Sequence, residues 1–437
     1  MSRIAEITAP FIPAGKTLAD LAAIVRRQPE QGQDLARALA SAALAEPMLD
    51  REICDILYPG LIEPLCDDFS LPSARAADLV LAGIIEALAG EGTSPGDLFR
   101  RREESRRSSL DGLTPGTALF ISRVTAGADV MITSVLMARI HAAFPGCEIH
   151  LAVTRAIAPI FAAPLIHIHP VEVNRHGGLM ERFSFRPQLS ELAAELIGPG
   201  DLIVDPESRL SQLGLLPLTE RTKTLLFPSR TYQSDDEEKN LAELANLWLD
   251  DLGCPAPHRS PEVHLPDETR KRAAMLKGKL VPEGNKAILI NLGVGGNERK
   301  RLDFADECAI MRAIMRQDGV TILLDSGRGM EEKSRVAAII EACGGVCEKI
   351  HPLDLDLAEV AALIAESDAF LGYDSSCQHL AVAVTTPGLT IFKGFPCQRF
   401  KNRWKPASDG SRIIPVTGMM EREQFETIIS AILEPLI

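Results

Sequence analysis

The chain has 437 residues, more than one ordinary domain holds, so we expect two or three domains. Hydrophobic residues make up 46% and charged residues 24%, the composition of a globular protein with sizeable cores. A net charge of −14 and only 5% aromatic residues argue against non-specific nucleic-acid binding and against base-stacking surfaces.

The sequence shows no targeting or membrane signal. Its first residues, "MSRIAEITAPFIPAG", lack the apolar core of a secretory signal, and no apolar run reaches the roughly 18 residues that a membrane span needs. Nine irregularly spaced cysteines indicate free thiols in a reducing cytoplasm. Cys343, Cys347, Cys377 and Cys397 could in principle hold a metal, but without a C-x-x-C pair we do not expect one.

Residues 1–110 are predicted to be an all-helical N-terminal domain with a linker. Helical spacing of apolar residues is found in "TLADLAAIVRRQ", "GQDLARALASAALAE", "DREICDILYPGLIEPLCDDF" and "SARAADLVLAGIIEALAGE". The charge run "RRREESRRSS" at 100–109 is typical of a solvated linker, so we place a boundary there. The alternative for this run is a contact with an anionic partner.

Residues 111–255 are predicted to form a first Rossmann-like domain. A strand in "TALFISRV", a helix and a strand in "CEIHLAVT" make a βαβ unit. Further short strands and a helix follow, in "LIHIHPVEV", "DLIVDPES", "TKTLLFPS" and "EEKNLAELANLWLDDLG". The Pro-rich segment "CPAPHRSPEVHLPDE" then indicates an interdomain linker.

Residues 256–437 are predicted to form a second Rossmann-like domain with a closing helix. Its strands are expected in "KAILINLGVGG", "GVTILLDSG", "DAFLGYDSS" and "GLTIFKG", with helices between them. The fold class is therefore α/β, with two doubly wound domains after a helical one. Ligands bind such sheets at the carboxyl ends of the strands, so the cleft between the domains is the expected site.

In the first domain the candidate residue is Asp129, in "ISRVTAGADV". Gly127 permits a tight turn after the strand. Asp129 is either a helix N-cap, a position that favours Asp, or a general base that faces the cleft. The spacing alone leaves both interpretations open.

In the second domain, "NLGVGGNERKR" places glycines before Lys300 and Arg301. Glycines such as Gly295 let backbone N–H groups approach an anion, and the cations add charge. The segment is neither a Walker A loop nor G-x-G-x-x-G. Further on, Glu331 and Glu332 open a helix, where they either balance its dipole or hold ribose hydroxyls.

The stretch "GYDSSCQHLA" carries the largest group of candidates. Ser375 and Ser376 fall at a predicted helix N-terminus, where N–H groups and hydroxyls bind phosphate. Asp374 precedes them, and His379 lies about one helical turn beyond, either against the same anion or packed in the core.

Two other chemistries are not favoured. No G-x-S-x-G elbow is present, so the serines do not indicate a hydrolase. His167 and His169 alternate along one strand, but no carboxylate lies near them in sequence, so we expect a structural role rather than a metal site.

Taken in this order, the junctions resemble glycosyltransferase family 9, the bacterial heptosyltransferases, over residues 117–437. The similar segments are "FISRVTAGADVMITSVLMARIHAAFPGCEIHLAV", "DLIVDPESRL", "NLGVGGNERKRLDF" and "DSSCQHLAVAVTTPGLTIFKGF". The resemblance implies a GT-B fold and a metal-independent, inverting sugar transfer from a nucleotide-diphosphate sugar, ADP-heptose or a similar donor, with no cofactor.

By position, the resemblance makes Asp129 the catalytic base. It assigns donor binding to Lys300, Glu331 or Glu332, Asp374, Ser375 and His379. The chemistry of the residues themselves adds Gly295, Arg301 and Ser376 to the donor-binding candidates. The chemistry agrees, because transfer needs a base for the acceptor hydroxyl and positive potential where the diphosphate leaves.

The sequence departs from the family pattern at two points. Ala128 stands before Asp129 where the family has Gly-Asp, and Ser376 replaces a glycine. The helical region has no family counterpart, and we expect it to dock an acceptor or to self-associate. The alternatives are an epimerase-like GT-B enzyme and a non-catalytic binding module.

The resemblance also implies partners and a location. The acceptor would be a glycan, a lipid-linked glycan or a protein, and a homo-oligomer is compatible with the extra region. We expect a cytoplasmic protein, peripheral at the inner membrane if the acceptor is lipid-linked, with no nucleic-acid partner.

Overall fold

A computed structural model of the chain describes residues 3–89, 94–122, 125–174, 177–206, 217–233 and 235–434. It contains a helical region and two parallel sheets, as the sequence predicts. The helices of the first region are α1 (Arg3–Thr8), α2 (Leu21–Arg27), α3 (Pro29–Ala45), α4 (Asp50–Leu57), α5 (Glu63–Asp67), α6 (Leu71–Ala89) and α7 (Pro95–Ser105). Within the described residues, no helix is both long and apolar enough to cross a membrane.

Two predictions for this region need correction. The helix expected over 50–69 is interrupted by a π-helical turn, Tyr58–Ile62, because Pro59 cannot donate the backbone hydrogen bond of a regular helix. The charge run at 100–109 is not all linker, since its first six residues belong to α7, where Arg102 donates to Asp78 at 2.9 Å. After α7, Arg107 N donates to the Thr224 carbonyl at the edge of the first sheet.

The first sheet is fully parallel, in the order β3-β2-β1-β4-β5. Its strands are β1 (Thr117–Ile121), β2 (Glu148–Val153), β3 (Ile166–Pro170), β4 (Leu202–Asp205) and β5 (Thr224–Leu226). The helices are α8 (Ala126–Ala128), α9 (Ser134–Ala143), α10 (Leu179–Phe183), α11 (Phe185–Leu196) and α12 (Leu241–Asp251). The family-like segment "DLIVDPESRL" falls outside the described residues from 207 onward.

The second sheet is also parallel, in the order β11-β10-β9-β6-β7-β8. Its strands are β6 (Lys286–Asn291), β7 (Val320–Asp325), β8 (Ile350–Leu353), β9 (Ala369–Tyr373), β10 (Gly388–Lys393) and β11 (Ser411–Val416). The helices are α13 (Asp267–Leu280), α14 (Phe304–Met315), α15 (Met330–Ala342), α16 (Leu357–Glu366), α17 (Ser376–Ala383), α18 (Gln398–Trp404) and α19 (Arg422–Leu433).

The helical region is not an independent layer, because it shares a hydrophobic core with one face of the first sheet. Leu39 and Leu57 of the helices belong to the same buried cluster as Leu119 of β1 and Leu189 of α11. The opposite face of the first sheet joins a second cluster that extends to Phe370 of β9. Removing the helices would therefore expose part of the core of the first Rossmann domain.

Candidate functional site

The parallel topology fixes where the candidate residues meet. In the first sheet β1 lies between β2 and β4, and in the second sheet β6 lies between β7 and β9. Chain order reverses at these two points, and a crevice for a ligand opens there outside the strand ends. The segments that follow β1, β6 and β9 carry all of the predicted site residues except Glu331, which opens α15 after β7.

Lys300 and Asp374 form the charged centre of the second domain's strand ends. Lys300 Nζ donates to Asp374 Oδ2 at 2.7 Å and to the Asp374 carbonyl at 3.0 Å. Asp374 Oδ1 accepts from Gln378 Nε2 at 2.8 Å. The side-chain Oε1 of Gln378 is buried, and among the described residues it has no hydrogen-bond partner. The pair is thus pre-ordered before any ligand binds.

The two serines sit at the N-terminus of α17 as predicted. Ser375 is the N-cap, with an extended backbone (φ −148°). Its hydroxyl accepts from Cys377 N at 3.4 Å. Ser376 opens the helix, and its hydroxyl accepts from Gly127 N of the first domain at 3.1 Å. A Cβ built on Gly127 would lie 3.2 Å from His379 Cδ2, closer than a normal van der Waals contact. The two domains therefore approach each other so closely here that only glycine fits without a shift of its neighbours.

His379 is buried on the inner side of the same helix. The pKa of its imidazole is lowered from 6.5 to about 4, mainly by burial, while Asp374 opposes the change and Lys300 adds to it. The ring lies 6.0 Å from that of Trp404, and Gln378 Nε2 is 3.3 Å from His379 Nε2. His379 is therefore neutral at pH 7, and it supports the site by packing and polarity, not by charge.

Glu332, not Glu331, holds the glycine loop. Glu332 Oε1 accepts from the backbone N–H groups of Val294 (3.0 Å) and Gly295 (3.2 Å), and Oε2 accepts from Arg328 N at 3.0 Å. Gly295 has a left-handed backbone (φ +60°) that a side chain would strain. The loop's N–H groups thus already hold a carboxylate, which shows that they are arranged to bind an anion.

Arg301 and Glu331 lie beside this loop. Glu331 is largely exposed, and its Oε1 lies 3.8 Å from Arg301 Nη1. Arg301 is buried and donates from Nη1 to Glu298 Oε2 at 2.7 Å. Of the two glutamates offered by the sequence, Glu331 is the one that remains accessible to a ligand.

Asp129 is enclosed in this structure. Its carboxylate is fully buried, Oδ2 accepts from Ser122 Oγ at 2.5 Å, and Oδ1 accepts from Thr133 Oγ1 at 2.9 Å. It is not an N-cap, because α8 begins before it and Thr125 takes that position. Its predicted role as the base stays a prediction. As placed here, it fixes the loop that presents Gly127 to α17.

The cations of α18 tie the two Rossmann domains together. The buried Arg403 donates to the backbone carbonyls of Gln233 (3.0 Å), Asp236 (2.5 Å) and Lys239 (2.7 Å). Arg399 donates to Glu237 Oε1 at 2.8 Å. Two of the basic residues that follow β10 are therefore used for the domain junction.

The helical region also reaches the cleft, through residues 66–69 at the end of α5 and in the turn that follows it. Arg399 donates to the Asp68 carbonyl at 3.2 Å, and Arg230 of the first domain donates to the Cys66 carbonyl at 3.3 Å. Phe69 packs edge-on against Phe400 at 6.4 Å. The sequence pattern does not indicate this corner, because the partners of residues 66–69 lie more than 150 positions away in the chain.

One cluster could hold a metal, and it lies away from the cleft. Ligand atoms of Glu148, His150 and His167 are within 4.8 Å of one another, the one such group of three among the described residues. The sequence places no carboxylate close to His167, but the neighbouring strand β2 supplies Glu148. The parallel pairing of His150 of β2 with His167 of β3 brings these residues together. His150 Nδ1 also lies 2.8 Å from His169 Nε2.

Among the described residues, no possible metal-binding group includes Cys343, Cys347, Cys377 or Cys397. A cavity of about 260 Å³ lies elsewhere, on the outer side of α9, and Phe161 and Leu165 line its apolar wall. None of its lining residues belongs to the second sheet or to the segments that carry Lys300 and Asp374, so we do not assign it to the candidate site.

Comparison with known proteins supports the sequence resemblance. Residues 217–425 match the family model of glycosyltransferase family 9 (heptosyltransferase). A glycosyl transferase family 9 structure from Veillonella parvula is 13% identical, with a TM-score of 0.59, over 76% of this chain and 99% of that one. No curated protein sequence matches.

Two Escherichia coli structures share the fold. ADP-heptose lps heptosyltransferase II is 16% identical with a TM-score of 0.52, over 73% of this chain and 97% of that one. Heptosyltransferase WaaC with ADP is 15% identical with a TM-score of 0.53, over 73% and 99%. The fold is therefore GT-B, as predicted. The family match contains every donor-side candidate from Gly295 to His379, whereas Asp129 lies outside it.

Proposed function

We propose that this chain, a glycosyltransferase that carries a family 9 domain, transfers heptose or a similar sugar from a nucleotide-diphosphate sugar to an acceptor hydroxyl. The observation that carries the proposal is Lys300, placed by Asp374 beside the N-terminus of α17. An ammonium group and the positive end of a helix dipole together attract the diphosphate of such a donor.

The donor would lie across the strand ends of the second domain. Its diphosphate would meet Lys300 and the N-terminus formed by Ser375 and Ser376. Sugar or ribose hydroxyls would reach Asp374 and the exposed Glu331. Gly295 and Arg301 would complete the loop side, and the neutral His379 would back the helix.

We also propose that the transfer is inverting and metal-independent, from ADP-heptose or another nucleotide sugar. As charge develops on the leaving diphosphate, Lys300 and the helix dipole would stabilise it. EDTA should therefore leave the rate unchanged, and NMR coupling constants should show a product anomer opposite to that of the donor. A retained anomer or full loss of activity with EDTA would contradict this part. We place the enzyme in the cytoplasm.

Titration of the purified protein with a panel of nucleoside diphosphates and nucleotide sugars tests the donor assignment. We expect one nucleotide to bind, and Lys300→Ala to weaken it about 10- to 100-fold, the effect of one lost charge-assisted contact. Lys286→Ala, at the opposite end of β6, is the matched control and should bind normally. If the wild-type protein bound no member of the panel, the proposal would fail.

A further inference from the structure

A second site lies on the first sheet, away from the cleft. Glu148 and His150 of β2 and His167 of β3 bring their ligand atoms within 4.8 Å of one another. We propose that these three side chains bind a divalent transition-metal ion, most suitably zinc, at the edge of the first domain. The site does not depend on the proposed sugar transfer, because the donor-side candidates lie on the other sheet.

The pairing of two strands brings the ligands together. The parallel register places His150 opposite His167, and residues two positions apart on a strand point to the same face. Glu148 and His169 therefore share the face of His150 and His167. The strand β3 is an edge strand that pairs with β2 alone. The pattern of β3 by itself contains no carboxylate, which is why the sequence favours a structural role for its histidines.

His150 is the centre of this group. Its ring centroid lies 4.7 Å from that of His167, with the ring planes 22° apart. Its Nε2 lies 3.5 Å from Glu148 Oε2. Two ligands that are each about 2.0–2.1 Å from a tetrahedral zinc ion are themselves about 3.4 Å apart, so this pair already has the spacing of two zinc ligands. Glu148 and His167 are exposed, which leaves each side chain room to turn toward a shared ion.

His169 supplies the partner that orients a ligand histidine. Its Nε2 lies 2.8 Å from His150 Nδ1. When His150 Nδ1–H donates to His169, the opposite nitrogen, Nε2, keeps its lone pair and faces Glu148. Histidine ligands of metal ions almost always have their second nitrogen fixed by such a hydrogen bond. His150 is also buried, so its ring is held in this orientation by packing.

The donor set selects the kind of ion. Two imidazoles and one carboxylate suit zinc and its neighbours among the transition metals, whereas magnesium and calcium prefer oxygen ligands alone. Three protein ligands at an exposed edge leave the fourth position of a tetrahedral ion to water. An ion held in this way would tie the edge strand β3 to β2. Because it binds the folded chain, it would stabilise the first domain.

Titration of the untagged full-length protein with zinc, after stripping with EDTA, tests the site. Calorimetry should show one ion bound per chain. At ten times its dissociation constant, zinc should raise the thermal midpoint by about 2–5 °C, and magnesium should not. His169→Phe keeps a planar ring without the acceptor nitrogen, and it should weaken zinc binding about 10- to 100-fold. Glu148→Gln and His167→Gln remove ligands and should weaken it at least as much.

His264→Gln is the matched control. His264 Nε2 lies 3.3 Å from Glu262 Oε1, the same pair of ligand types, but among the described residues no third ligand group joins them. This variant should bind zinc as the wild-type protein does. Because Glu148 and His167 are exposed, their variants should fold, and thermal midpoints of the metal-free proteins close to wild type show that they do.

Two outcomes would overturn the inference. One is a wild-type protein that binds no zinc and whose thermal midpoint zinc does not raise. The other is zinc binding of wild-type strength in both Glu148→Gln and His167→Gln, because the ion would then be held elsewhere in the chain, for example by thiols. Neither outcome bears on the nucleotide titration, so a failure here is distinct from a failure of the donor assignment.

Discussion

The second Rossmann domain meets the rest of the chain at two junctions of different character. In the glycine junction, residues 125–129 of the first domain lie against residues 376–379, with Gly127 at van der Waals distance and one hydroxyl–amide hydrogen bond. In the aromatic junction, residues 66–69 and Arg230 lie against residues 397–404, through edge-on aromatic rings and a guanidinium. The glycine junction consists of small residues with one hydroxyl–amide hydrogen bond, whereas the aromatic junction consists of large side chains with several contacts.

The two junctions should therefore differ in how strongly they hold the second Rossmann domain to the rest of the chain. Large buried rings hold their partners by several kcal/mol, so the aromatic junction keeps the helical corner in place. Small residues and one neutral hydrogen bond contribute less, so single substitutions at the glycine junction should cost less than those at the aromatic junction. Four predictions test this contrast, from the largest expected effect to the smallest.

Phe69→Ala should break the aromatic junction. We expect the free energy of unfolding to fall by about 3–5 kcal/mol, since a buried aromatic ring is lost. Phe69→Gly should cost less than Phe69→Ala by about 1 kcal/mol, because glycine accepts the left-handed backbone at this position. Urea denaturation of both variants measures these differences.

Leu71→Ala is the control for this pair, because Leu71 lies two residues away and is 57% exposed. It should change the stability by less than about 0.5 kcal/mol. Equal losses in Phe69→Ala and Leu71→Ala would contradict the aromatic junction as a point of strong attachment.

Lowering the pH should weaken the glycine junction through His379. The folded state holds the pKa of this imidazole at about 4, against 6.5 when unfolded, so the unfolded chain binds the extra proton between these values. Its contribution is fully present above pH 6.5 and is lost as the pH falls toward 4, by about 3 kcal/mol in total. The difference between the stability–pH curves of wild type and His379→Gln isolates the contribution of His379. Parallel curves would contradict the lowered pKa of this imidazole.

Gly127→Ala tests how close the glycine junction is. The new Cβ would lie 3.2 Å from His379 Cδ2 and 3.3 Å from Ser376 Cα, tighter than normal packing. We expect a loss of about 1–2 kcal/mol, since overpacking outweighs the gain in helix propensity. Gly146→Ala, which meets nothing within 4 Å, is the control. A stabilised Gly127→Ala protein would mean that the junction is already open in solution.

Short-range patterns in the sequence predict both sheets and part of the candidate site. β1, β6 and β9 are continuous apolar runs that end in polar residues, so both sheets and the position of Asp374 and Ser375 could be predicted. The strands β8 and β11 were not predicted, because "IHPL" and "SRIIPV" are short and contain proline. The corner at residues 66–69 could not be predicted, since it depends on contacts with Arg230 and Phe400 that only the tertiary structure creates.

Ser376→Ala should give the smallest effect and the finest distinction. It removes the single hydrogen bond that Gly127 N donates across the glycine junction, so the free energy of unfolding should fall by only about 1 kcal/mol. Ser41→Ala, an exposed change on α3, should cost less. If the hydroxyl also contacts the donor, Ser376→Ala should weaken nucleotide binding, but less than Lys300→Ala, because a neutral hydroxyl contributes less than an ammonium group. Binding weakened as much as in Lys300→Ala would show that this hydroxyl, and not only the charge beside it, organises the diphosphate site. The glycine junction would then be part of the donor site itself.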